Sequence, residues 1–246
     1  MINEYEIRQI AADFWRVAGN PGGFPRNIEA SILWTIPVAV VKLPRLRVAF
    51  VRGWLSGHGL PAIVPAVDRE LRACVVATRG RGVIFIDGSD PVEEQRLSLA
   101  HELAHFLLDY TLPRDSAIAA CGESIVAILD GDRSPTDAER LTAVLQGVTV
   151  GVYSRLWLRG PLGLVRDSRV VAHEDLADIL AIELIAPRRE ILARARKLID
   201  RSDDSAVAGL LQSVFGLPKS SADAYSRVLC ATAKPVQTIK AWLGIE

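Results

Sequence analysis

With 246 residues, half of them apolar, the chain can bury a sizeable core as one large domain or as a main domain with an appendage. Its 29 basic residues balance 29 acidic ones, so no global field draws it to nucleic acid or anionic lipid, and direct nucleic-acid binding is not expected. The first residues are acidic and lack the basic and apolar regions of a signal peptide. The longest apolar stretch, Ile36 to Leu43, is broken by Pro37 and Lys42 and is too short to span a bilayer. A cytoplasmic protein with no membrane role is the expectation. Cys74, Cys121 and Cys230 have no metal-type spacing and read as small buried side chains in a reducing compartment.

Along the chain, Ile7, Ile10, Ala11, Phe14 and Val17 give Glu4 to Val17 the spacing of an amphipathic helix. The Gly19 to Gly23 stretch ends it, and a loop follows to about Asn27. A second helix is expected over Ile28 to Thr35, a short strand over Val38 to Val41, and a helix over Leu46 to Ser56. Two β-branched runs, Ala73 to Ala77 and Val83 to Ile86, flank the Gly-containing turn Arg79 to Gly82 and read as a hairpin. Asp90 then offers an N-cap, Pro91 a first helical residue and Glu93 a capping-box partner for a helix reaching about Leu108. Between Leu112 and Val171 the pattern is weaker. Pro135 to Leu145 looks helical with Ser134 as cap, and Gly147 to Leu164 mixes Gly, aromatics and Val. Helices are expected again over Glu174 to Ala186, Arg188 to Leu198, Asp204 to Phe215, Ser221 to Ala231 and Val236 to Leu243.

The chemistry concentrates at His101-Glu102-Leu103-Ala104-His105. On a helix, positions i and i+4 lie one above the other, so both imidazoles can reach one zinc ion while the Glu serves as general base. A catalytic zinc needs a third protein ligand. Asp109, Asp115, Cys121, Glu123, His173, Glu174, Asp178 and Glu183 are the downstream candidates. Glu174 and Asp178 stand out, one turn apart on an expected helix, although an acidic face at a helix N-terminus would look the same. A donor for a tetrahedral oxyanion is also needed. Tyr110, Tyr153, His173 and Arg188 are candidates among which the sequence does not choose.

The Glu-x-x-x-Asp spacing after His-Glu-x-x-His resembles thermolysin-like zinc peptidases, where the Glu binds the metal and the Asp holds an imidazole. More closely, Leu99 to Leu108, with the lead-in Asp87, Pro91 and Arg96, resembles the signature helix of the ImmA/IrrE family of metallopeptidases. The stretch from Glu174 to Pro187 is similar to that family's second signature, with Glu174 on its first Glu and Pro187 on its closing Pro. Phe215 to Leu229 echoes its C-terminal helical stretch. Leu176 departs from the pattern, standing where the family has a second Glu, and the long interval from His105 to Glu174 implies an insertion within about 112–170.

The resemblance implies an α+β fold: a mostly helical, zincin-like domain over 1–200 with a small sheet before the active-site helix, then a helical region over 201–246. The extra sensor domain of some radiation-response members is not expected within these 246 residues. The resemblance also implies a zinc endopeptidase with His101, His105 and Glu174 as ligands, Glu102 as base and Asp178 behind an imidazole. The same ligands accept manganese or cobalt. The implied substrate is a helix-turn-helix repressor, cleaved to release stress-response or mobile-element genes. Two rival readings stay open. One is a non-catalytic, metal-binding regulator or antitoxin-like partner, using the basic run Arg188 to Lys197 as a surface; a solvated helix face explains that run equally. The other takes the two histidines as merely packed in a helical protein. The intact Glu102 favours the enzyme, because a scaffold needs the ligands but not the base.

Overall fold

A computed structural model describes residues 3–20, 22–60, 64–65, 67–137, 139, 147–158 and 168–233. The chain divides into two compact units, the first formed by Met1–Gly22 and Asn27–Leu184, the second by Gly23–Arg26 and Ile185–Glu246. The architecture is α+β and mostly helical, with one four-stranded mixed sheet, as expected from the sequence.

In the first unit, α1 (Glu4–Val17) starts on a capping box in which the Asn3 side chain takes the Glu6 N–H and the Glu6 carboxylate takes that of Asn3. The Asn27 side chain caps α2 (Ile28–Thr35) by accepting the Ala30 N–H. Strand β1 (Val38–Leu43) leads to α3 (Val48–Gly57), and the hairpin follows as β2 (Leu71–Thr78) and β3 (Arg81–Asp87). The sheet order is β1-β3-β2-β4, with β1 parallel to β3 and the other pairs antiparallel. The near-continuous apolar run of β2 is explained by burial on both faces. Cys74, Val76 and Phe85 pack with Leu46, Val48, Val51 and Leu55 of the α3 region.

The signature helix α4 (Val92–His105) departs from expectation at both ends. Its cap is Pro91, one residue later than expected, and no side chain caps it. The lead-in is held differently: buried Asp87 accepts the N–H groups of Arg45 and Ser89, and the Gln95 amide donates to the carbonyls of Asp90 and Gly88. At the other end the helix does not stop near Leu108. It widens into a π-helical turn, Phe106–Thr111, and continues as α5 (Leu112–Cys121). Pro113 supplies a reason, since it has no N–H for the carbonyl of Asp109 and its ring crowds that carbonyl. Gly82 of β3 lets this segment approach the sheet: a Cβ there would lie 2.8 Å from the Phe106 ring and 3.2 Å from Val38.

A short helix, α6 (Val126–Leu129), packs with α5 around Ala117, Ile125 and Ile128, and Arg114 pairs with Asp130 at 2.7 Å. The expected helix over Pro135 to Leu145 lies mostly outside the described residues. Within the stretch read only as Gly- and aromatic-rich is a strand the sequence did not show, β4 (Tyr153–Leu158), which adds to β2 at the edge of the sheet. Then α7 (Ser168–Ile185) buries Ala177, Leu180, Ala181 and Leu184, and the Trp15 indole of α1 donates to the Leu184 carbonyl at 3.0 Å.

The second unit contains α8 (Arg188–Asp200), α9 (Asp204–Ser213) and α10 (Lys219–Ala233), while the helix expected over Val236 to Leu243 lies outside the described residues. Helix α8 buries Ile191, Ala195 and Ile199 and leaves Arg189, Arg194, Arg196 and Lys197 exposed, the pattern of a solvated face. Phe24 and Phe215 meet edge-on at 4.7 Å, with Arg194 over the Phe24 ring. The three cysteines form no disulfide among the described residues; Cys74 and Cys230 are buried and Cys121 half-buried. No helix among the described residues is long and apolar enough to cross a membrane.

Candidate metal centre

The one-turn spacing on α4 brings the rings of His101 and His105, both buried, edge to face, with their Nε2 atoms 3.1 Å apart. Helix α7 brings Glu174 over them. Its Oε2 lies 3.4 Å from His101 Nε2 and 3.5 Å from His105 Nε2. These three residues form a group able to hold a metal ion. Tetrahedral coordination with metal–donor distances of about 2.0–2.1 Å places donors about 3.3 Å apart, which is the size of this triangle.

The protons around the triangle make the same point. His101 Nδ1 lies 2.8 Å from Asp178 Oδ1, and His105 Nδ1 lies 2.8 Å from Asp109 Oδ2. A carboxylate can only accept, so each Nδ1 carries the proton and donates it, and in the neutral ring each Nε2 then turns a lone pair inward. Two imidazole nitrogens and a carboxylate oxygen converge, an arrangement that favours a cation.

Glu102 lies on the adjacent side of α4, fully buried, and among the described residues neither carboxylate oxygen has a hydrogen-bond partner. Burial pushes its pKa up. His101, His105 and Arg155 oppose that rise, as does the Val75 amide from outside hydrogen-bonding geometry. A buried carboxyl left without partners is costly and marks a position shaped for function rather than stability.

Two neighbours of the centre take roles that the sequence did not show. Arg155, on β4, forms an ion pair with the other oxygen of Glu174, leaving Oε2 to face the imidazoles. Asp109, in the π-helical turn, serves as the partner of His105 and not as a ligand; it also accepts from the Tyr153 hydroxyl at 3.0 Å and from His173 Nδ1 at 3.0 Å. Burial pushes Asp109 up, but the hydrogen bonds from His105, His173 and Tyr153 outweigh it and hold its carboxyl below the usual range. Tyr153 is raised by burial and by the adjacent Asp109 charge. The His105-to-Asp109 spacing was visible, but the expected helix ended one residue short of it. Arg155 carried no signal, because β4 itself was not evident.

The oxyanion-donor candidates separate in space. Tyr153 and His173 stand beside the cluster on a cavity of about 310 Å3 that Leu108, Pro113 and Arg155 also line. Tyr110 is turned away: it is buried and its hydroxyl accepts the Gly80 N–H at 2.8 Å. Arg188 belongs to the second unit, at the start of α8. Of the other ligand candidates, Asp115, Cys121, Glu123 and Glu183 lie outside the cluster among the described residues.

A helix presenting two histidines and a buried Glu, met by a Glu from a second helix, is a metallopeptidase-type arrangement. Residues 66–127 match the family model described as the IrrE N-terminal-like domain, a peptidase family, so this stretch is similar to the ImmA/IrrE family whose motifs the chain resembles. The match contains the hairpin, the signature helix and the π-helical turn, whereas Glu174 and Asp178 lie beyond it. No curated protein and no solved structure matches the chain.

Proposed function

We propose that this protein is a zinc-dependent endopeptidase, with His101, His105 and Glu174 holding the ion. The observation that carries this reading is the triangle of His101, His105 and Glu174 donor atoms, 3.1 to 3.5 Å on its edges, closed beside a buried Glu102 that has no hydrogen-bond partner among the described residues. When bound, zinc supplies Lewis-acid polarisation of a peptide carbonyl and lowers the pKa of water toward about 7.

The chain's own residues supply the rest. Glu102 accepts the proton released as water adds to the scissile carbonyl and returns it to the departing amine. Asp178 keeps the His101 ring in the tautomer whose Nε2 faces inward. Tyr153 and His173 line the cavity and are the candidate donors for the developing oxyanion, a role for which each exchanges its hydrogen bond to Asp109. Arg155 holds Glu174 by one oxygen and thereby presents the other. Manganese suits the same donor set, and which metal serves in the cell is a matter of supply as well as affinity.

Family resemblance supports a helix-turn-helix repressor as substrate, its cleavage releasing stress-response or mobile-element genes. The test is incubation of the full chain with a repressor encoded beside it, comparing wild type with Glu102→Gln. We expect cleavage by the wild type and a loss of about 10²- to 10⁴-fold in the variant, the usual worth of a general base. Cleavage that survives the substitution would refute the mechanism. A non-catalytic regulator on the same scaffold predicts metal binding with no cleavage by either protein.

A further inference from the structure

We infer that Asp109 is a second positioning carboxylate of the metal centre, holding His105 as a ligand and locking Tyr153 and His173 to the same point. This deepens the metallopeptidase reading and rests on it. The Asp109 side chain is only 14% exposed, yet it accepts three hydrogen bonds from three separate segments. His105 Nδ1 at 2.8 Å and the Tyr153 hydroxyl at 3.0 Å share Oδ2, while His173 Nδ1 at 3.0 Å meets Oδ1.

These partners differ in kind. His105 is a donor of the metal triangle, Tyr153 comes from the edge strand β4, and His173 comes from α7, one residue before Glu174. A single carboxylate therefore fixes the ring of one ligand, the strand that carries Arg155, and the helix turn that carries the third ligand. Without it, His105 is free to exchange tautomers and to turn its ring, and the imidazole lone pair is no longer held toward the other two donors. The π-helical turn is the local device that places Asp109, since π-helical widening recurs at functional sites.

The substitutions Asp109→Ala and Asp109→Asn separate this role from general packing. An Asn oxygen still accepts from His105 and Tyr153, and its NH2 can face His173 in the other tautomer, so ring orientation is kept while the charge is lost. Zinc affinity of the full chain is measured by competition with a chromophoric chelator, at a temperature where the metal-free proteins are folded by circular dichroism. Asp109→Ala is expected to bind zinc 10- to 100-fold more weakly than wild type, the usual loss for a partner of a liganding imidazole, with Asp109→Asn recovering most of that loss.

An Ala variant within twofold of wild type overturns the inference. An Asn variant as weak as Ala also overturns it, because hydrogen bonding to His105 would then not be what Asp109 supplies. Should the Ala variant not fold, Asp109→Leu, similar in size and unable to accept a hydrogen bond, is judged by the same two criteria. A wild type that binds no zinc removes the underlying metallopeptidase reading together with this one, whereas zinc binding indifferent to Asp109 removes this one alone.

Discussion

The two imidazoles of the centre lean on carboxylates of contrasting character. On the His101 side, Asp178 comes from the distant helix α7, and its side chain is 67% exposed. On the His105 side, Asp109 comes from the next turn of the same helical run, is 14% exposed and carries two further hydrogen bonds. Both fix a tautomer. The buried one does so in a medium where each charge-assisted hydrogen bond is stronger and the loss of a partner is more damaging. Chemically equivalent contacts thus have unequal weight, set by solvent and by how many other groups depend on them.

The largest effect belongs to neither side. Glu102→Gln should remove about 10²- to 10⁴-fold of any peptidase activity while the zinc content stays at the wild-type level, because the base is not a ligand. Loss of zinc in that variant would mean that the two histidine sides are not separable from the residue between them.

The contrast itself is tested next. Asp109→Ala should weaken zinc binding toward the 100-fold end of the 10- to 100-fold range, and Asp178→Ala toward the tenfold end. Chelator competition on both variants checks the order, and a larger loss on the Asp178 side would reverse the argument from burial.

Packing behind each side gives smaller effects. Gly82→Ala drives a methyl into the Phe106 ring, directly after His105, and should destabilise the protein by about 1–3 kcal/mol in urea unfolding. No loss of stability would show that the π-helical turn can retreat from the sheet. On the other side, Trp15→Phe removes the donor to the Leu184 carbonyl at the end of α7 and should cost about 1 kcal/mol for the hydrogen bond, read the same way.

Much of this was visible before any coordinates. The hairpin declared itself by β-branched runs about a glycine turn, and α1 by apolar residues at helical spacing. The His101, Glu102 and His105 group, and the Glu174 and Asp178 pair, were legible because helical periodicity converts sequence spacing directly into facing side chains. The cap at Pro91 was misplaced by one residue, since Asp87 and Gln95 take over the work of a capping side chain.

What escaped depends on long-range pairing. Strand β4 has its partner far back in β2, with Arg155 opposite Val75, and no turn links the two. Arg155 could therefore not be matched with Glu174, nor Tyr153 with Asp109. Asp109 stood only among the ligand candidates, and the expected helix ended one residue before it. The continuation through a π-helical turn, forced where Pro113 removes a backbone donor, is a conformational response that spacing rules for α-helices do not capture.

Native mass spectrometry of the zinc-reconstituted full chain bears most directly on the centre formed by His101, His105 and Glu174. One zinc per chain in the wild type, and none in His101→Ala or His105→Ala, is the expected result. A wild type that takes up no zinc, or zinc retained at full occupancy in both histidine variants, would contradict it.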